Sequence, residues 1–97
     1  MRLEYHPNVK LELEQARDFY EQQIPGLGAK FIDEFERQVL QIAGMPKRFR
    51  IIQADTRRAL MNRFPYAIYF RLVTPNLIRI TLVKHQRKHP IYGMERI

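Results

Sequence analysis

The sequence predicts an α+β domain in which an N-terminal helical hairpin packs on one face of an antiparallel sheet, in the order β-α-α-β-β-β. Three observations carry this. Two amphipathic stripes at helical spacing flank the breaker Ile24-Pro25-Gly26-Leu27-Gly28. Beyond residue 56 the pattern changes to segments rich in β-branched and aromatic residues, divided by Pro65 and by Thr74-Pro75-Asn76. A short alternating run, RLEYH, precedes the first helix. The 97 residues form one domain, 1–97, since a chain of this size buries roughly two-thirds of its unfolded surface in a single core.

Residues 2–6 read as the first strand, ended by Pro7. Proline is tolerated in the first helical turn, so His6-Pro7 opens a helix whose Val9, Leu13, Ala16 and Tyr20 recur at spacings of four, three and four. Phe19 widens that stripe, and Glu12, Glu14, Asp18 and Glu21 fall on a solvated face. After the Pro-Gly turn, Leu27, Phe31, Phe35, Val39 and Ile42 build a second stripe, with Ile32 and Ala43 alongside. Gly44-Met45-Pro46 ends it as a glycine followed by proline should. Gly26 and Gly28 form a G-x-G, but one that follows a helix and lacks a third glycine, which excludes a dinucleotide fingerprint.

Residues 47–56 have no period and read as a loop. Residues 57–64, 66–73 and 77–85 then form an antiparallel meander. Alternation places Tyr66, Ile68, Phe70 and Leu72 on one face of the middle strand, with Ala67, Tyr69 and Arg71 on the other. In the last strand it groups Ile78, Ile80 and Leu82 against Arg79, Thr81, Val83 and His85. The helices cover one face only, so Arg71, Arg79, His85 and Tyr69 are expected on an open sheet face.

The charge divides at Pro46. Residues 1–46 carry a net −3, and residues 47–97 a net +10. Such an imbalance attracts polyanions or an acidic partner. The 45% hydrophobic and 28% charged content is that of a folded globular chain. With no cysteine there is neither a disulfide scaffold nor a thiolate metal site. No apolar run is long enough to span a bilayer and no leader precedes the first strand, so a soluble cytoplasmic protein without membrane contact is expected.

The densest constellation is KHQRKHPIY, residues 84–92. Lys84, His85, Arg87, Lys88, His89 and Tyr92 supply the base, acid and cations that metal-free cleavage of RNA through its own 2′-hydroxyl requires. The same residues equally make a solvated basic segment that binds an acidic partner. Pro90 follows His89, so the two histidines lack helical spacing, and no metal is expected. A second cluster, Arg57, Arg58 and Arg63, offers guanidinium forks for phosphate beside Phe64, Tyr66 and Tyr69. Motifs for duplex-reading helices, zinc fingers, nucleotide loops or hydrolase elbows are missing, and no cofactor is implied.

Three segments carry a family resemblance: YHPNVKLELEQARDFYEQQIPGLGAKFIDEFERQVLQI, RRALMNRFPYAIYFRL and VKHQRKHPIY. The E-x-x-x-x-F-Y helix, the PGLG turn, the R-F-P-Y-x-I strand and the closing V-x-H-x-R-x-x-P block resemble, in order, the RelE/ParE superfamily of bacterial type II toxins. The resemblance implies the RelE/ParE-like fold and a cognate acidic antitoxin encoded beside the toxin, packing on exposed positions of the hairpin such as Leu11 and Leu40. Toxins similar to RelE cut mRNA on the ribosome; those similar to ParE poison DNA gyrase. On the RelE pattern the catalytic positions would be Arg58, Arg63, Arg87, His89 and Tyr92. The middle-strand arginine of that pattern falls on Ala67, and its two preceding lysines fall around Arg58 and Leu60. The chain therefore resembles the ParE-like, plasmid-stabilisation branch more closely, with Arg57, Arg71, Arg79, Lys84, His85 and Lys88 as target- or polyanion-binding cations. The alternatives are a ribosome-dependent mRNA endoribonuclease and a non-toxic member that only binds its antitoxin.

Overall fold

The computed structural model describes residues 1–97. Its elements are β1 (Arg2–Tyr5), α1 (Pro7–Gln23), α2 (Leu27–Gly44), a 3-10 turn (Pro46–Arg48), β2 (Arg50–Gln53), β3 (Thr56–Leu60), β4 (Tyr66–Thr74) and β5 (Leu77–His85). The expected α+β architecture is present, and the strands lie in the order β1-β5-β4-β3-β2. Only β1 runs parallel to its neighbour, with Leu3 opposite Ile78 and Tyr5 opposite Ile80. The sheet is therefore mixed, because the helical hairpin carries the chain back across it between β1 and the meander.

Local chemistry sets the helix ends. His6 caps α1 through Nδ1, which accepts the Asn8 N–H at 3.1 Å. Gly26 adopts a left-handed φ of 91° in the turn between helices, a conformation that costs glycine little. No Gly26 side chain exists to cap α2. Glu21 of α1 does so instead, its carboxylate accepting the N–H groups of Gly26 at 2.9 Å and Gly28 at 3.0 Å. A Cβ on Gly28 would stand 2.6 Å from the Arg17 carbonyl oxygen, so the two helices meet here at backbone distance.

The main core joins the predicted stripes of both helices to one face of the sheet. Val9, Ala16, Phe31, Phe35, Val39 and Ile42 pack against Ala59, Met61, Phe64, Ile68, Phe70, Ile78, Ile80 and Val83. Tyr20, Phe31, Phe64 and Tyr66 form an aromatic cluster with centroids 4.8–6.1 Å apart, offset or edge-on as ring quadrupoles prefer. Phe19 departs from the expected stripe: it is 55% exposed and meets the Tyr20 ring edge-on at 5.3 Å.

Three features differ from the sequence expectation. The segment read as a loop over 47–56 contains β2, an edge strand of four residues paired with β3. The strand expected over 57–64 stops at Leu60, because the chain turns onto the buried carboxylate of Glu34. That side chain accepts the Asn62 N–H at 2.7 Å and the Arg63 N–H at 3.1 Å, binding α2 to the β3–β4 connection. Finally, a bulge interrupts β4–β5 pairing: Tyr69 faces Leu82 while Phe70 faces Ile80. Thr81 is the extra residue, so the side-chain alternation inverts after Ile80. Leu82 joins Ala67 and Tyr69 on the far face, and Val83 enters the main core, the reverse of the predicted assignment.

Removing the Glu34 carboxylate leaves two backbone donors beneath the core without their acceptor. Glu34→Ala is expected to lower unfolding free energy by about 2–3 kcal/mol, read as a lower urea midpoint by circular dichroism.

Candidate functional site

The far face of the sheet, expected to be open, is half covered by the segment after β5. Met94 and Ile52 pack on the small cluster of Ala67, Tyr69 and Leu82. Gly93 crosses this cluster with a φ of +76°, and a Cβ there would stand 2.6 Å from a Leu82 methyl. Glycine is thus required twice, by conformation and by space.

Lys84 fastens this segment. The inverted alternation turns it to the far face, where it is only 4% exposed. Its ammonium donates to the carbonyls of His89 at 3.1 Å, Pro90 at 3.0 Å and Tyr92 at 3.0 Å, and lies 5.2 Å from the Tyr69 ring centroid. All three N–H donors are engaged. Burial, followed by the charges of Arg58 and Arg96, holds its pKa below the usual lysine value. Lys84 was expected to face a polyanion; it serves as an internal anchor.

Several other expected target-binding cations are likewise consumed within the chain. Arg71 makes a forked pair with Asp55 at 3.0 and 2.9 Å, and this hydrogen bond holds the Asp55 carboxyl below its usual range. Arg79 grips Glu4 at 3.1 and 2.6 Å and also donates to the Ile97 carbonyl. Arg57 faces the helical side and donates to the Phe49 carbonyl at 2.8 Å. His85, expected on the open face, turns with Val83 towards α1 and meets the Tyr66 ring edge-on at 5.3 Å. Lys88 is exposed, its ammonium 4.7 Å from the Tyr92 ring centroid.

Arg58, Arg63, Arg87 and His89 do not line the grooves that Tyr92 lines. His85 Nδ1 accepts the Arg87 N–H at 2.9 Å, and His89 Nδ1 accepts the Ile91 N–H at 3.3 Å. In the neutral ring this assigns the proton to Nε2, which makes each imidazole a donor at its free nitrogen. Tyr92, 40% exposed, lines one groove with Phe19, Tyr66, His85 and Lys88 and another beside His6 and Arg96. Burial raises the Tyr66 phenol pKa, so that hydroxyl stays protonated. Between Leu60 and Lys84 in register stands Ala67, 1% exposed, where no cation reaches the surface.

On the hairpin, Leu11 is 57% and Leu40 70% exposed, each an unpartnered apolar side chain. Some working residues escaped the sequence reading. Glu12, assigned to the solvated face, turns inward: Oε1 accepts the Val83 N–H at 3.0 Å and Oε2 lies 2.7 Å from Arg96. Arg96 also donates to the Thr81 carbonyl at 3.1 Å. Together they satisfy the edge of β5 beyond the point where β1 ends. Glu21 has a local signal, since a glutamate shortly before a Pro-Gly turn can reach back over it; Glu12 has none.

A family model described as the ParE toxin of type II toxin-antitoxin systems, parDE, matches residues 3–90. No curated protein matches the sequence. Among solved structures, a chain of the chromosomal ParDE toxin-antitoxin system from P. aeruginosa superposes with a TM-score of 0.77 at 21% identity, covering 88% of this chain and 95% of that one. At that identity the likeness concerns the fold. No helix is long and apolar enough to cross a membrane.

Two variants test the geometry. Lys84→Met leaves three carbonyls without their donor, and amide exchange at Tyr92 and Met94 is expected to quicken by about tenfold or more while core strands stay protected. Asp55 has a folded pKa below its unfolded value, so its contribution is present above the unfolded pKa and disappears as pH falls through the folded one. Its side chain is 58% exposed, which limits the pair to about 0.2–1 kcal/mol. Asp55→Asn should therefore cost that much at pH 7 in urea titrations and nothing at about pH 2.

Proposed function

The chain belongs to the ParE toxin family of type II toxin–antitoxin systems, and from that premise we propose that it arrests growth by occupying an essential target, DNA gyrase, without chemistry of its own. A cognate antitoxin encoded beside it neutralises this action in the cytoplasm.

The observation that carries the non-enzymatic reading is the state of Lys84 and Ala67. A nuclease of this shape needs cations displayed on the middle of the sheet to stabilise a phosphorane. Here the middle-strand position is a buried alanine, and the neighbouring lysine spends every donor on the carbonyls of its own chain. Each nearby imidazole accepts a backbone N–H at Nδ1, which engages one of the two ring nitrogens that could take a 2′-hydroxyl proton. Binding needs none of these groups. The exposed Leu11 and Leu40 suit an amphipathic antitoxin segment, whose acidic residues complement the net +10 of residues 47–97.

A paired assay tests this. The purified chain should inhibit supercoiling by gyrase in stoichiometric proportion and leave mRNA on programmed ribosomes intact. Ribosome-dependent cuts without gyrase inhibition would assign it instead to the endoribonucleases, with Arg58, Arg63, Arg87, His89 and Tyr92 as the residues to replace first.

A further inference from the structure

Of the seventeen lysines and arginines, many are neutralised or held internally, and among those left over four arginines lie on β2, β3 and the turns that close one end of the sheet. Arg50 and Arg58 stand directly opposite one another in the β2–β3 ladder, both exposed. Arg58 is in turn opposite Tyr69 on β4, which places the pair on the far face. At the end of β3 the chain turns through Arg63, and the turn bearing Arg87 is tied to it by the Gln86 N–H donating to the Pro65 carbonyl at 2.8 Å. Arg63 and Arg87 are also exposed. No carboxylate lies within ion-pair distance of any of these four guanidiniums, since every close pair in the molecule involves Arg2, Arg17, Arg71, Arg79 or Arg96.

Like charges placed directly opposite across two strands repel and are a cost to the sheet. At the Arg50–Arg58 pair nothing in the chain offsets that cost, and a bound anion would. Four arginines rather than lysines point to oxyanions that accept two parallel N–H bonds from one guanidinium. The ring facing the Arg50–Arg58 pair offers no surface on which an unpaired base could stack: Tyr69 is 6% exposed and lies under the Lys84 ammonium. Single-stranded nucleic acid relies on such stacking, whereas a duplex needs only backbone contacts.

We propose that Arg50, Arg58, Arg63 and Arg87 form a strip that binds the phosphate backbone of duplex DNA without reading its sequence. The toxin would thus hold DNA as well as a protein target. The choice of DNA among duplexes rests on the gyrase reading, and the assay below contains no gyrase, so the two ideas fail separately.

The test measures binding of a fluorescent 25-base-pair DNA duplex of arbitrary sequence to the full chain across salt concentrations. With four phosphates neutralised, log affinity should fall against log salt with a slope of about −3.5, which is roughly a hundredfold loss between 50 and 200 mM. Arg50→Glu with Arg58→Glu should abolish binding; Arg50→Gln with Arg58→Gln, the milder pair, should flatten the slope to about −2. Lys30→Gln with Arg37→Gln removes the same charge from α2, on the opposite side of the sheet, and should leave both affinity and slope unchanged. Equal losses in the α2 control and the Arg50/Arg58 Gln pair would show net charge alone and overturn the strip. Tighter binding of a 20-residue polyglutamate, or of single-stranded RNA, than of the duplex would overturn the assignment to duplex DNA, as would no duplex binding at 50 mM salt.

Discussion

One residue too many in β5 sets the layout of everything beyond the main core. With Thr81 bulged out of the ladder, Ile80 and Val83 both face the helices, while Leu82 and Lys84 face away. The far side of the sheet thereby acquires a small apolar centre of its own, on which Met94 settles, and a buried ammonium that ties down the carbonyl groups of His89, Pro90 and Tyr92. The same bulge leaves the Thr81 carbonyl and Val83 N–H at an edge that β1 no longer covers. Glu12 from α1 and Arg96 from the closing segment meet there. An ungapped ladder would have sent Lys84 towards the helices and left the closing segment nothing to bind.

The charge imbalance acquires a different meaning once the cations are placed. Arg71 completes a forked pair with Asp55, Arg79 places two N–H groups on one carboxylate oxygen of Glu4, and Arg57, Lys84 and Arg96 close loops by donating to carbonyls. These groups hold the structure together and are withdrawn from any partner. Partly exposed pairs of this kind contribute little each. A buried ammonium is different: its desolvation is costly unless every donor is met, as it is for Lys84. What remains for recognition includes the arginines at the β2–β3 edge and in the two turns that close the sheet's end.

The helices, their stripes and the bounds of β4 and β5 were legible because their signals are local. Pro7, Pro25-Gly26, Gly44-Met45-Pro46 and Thr74-Pro75-Asn76 mark ends wherever the chain goes. The strand β2 was not, since Arg50-Ile51-Ile52-Gln53 is short, sits at an edge and shows no alternation. A bulge leaves no mark in sequence either: Ile-Thr-Leu-Val-Lys-His reads as unbroken alternation, and a shift by one residue inverts every assignment after it. The fate of the arginines was hidden for a further reason. Glu4 and Arg79 are 75 residues apart, brought together only by the parallel register of β1 on β5, so a candidate surface cation and a structural one look the same in the string.

That parallel pairing also fixes the order in which the molecule can be built. Its first strand has no partner in the chain until the last one exists, and the ladder β4 needs is likewise completed late. During synthesis the two helices, held by contacts close in sequence, can form early. Their apolar faces, Phe31, Phe35, Val39 and Ile42 among them, then wait for residues 56–85. Closing such distant contacts is slow and leaves hydrophobic surface uncovered meanwhile. The nascent chain is therefore most open to capture or aggregation in the interval just before its final strand emerges.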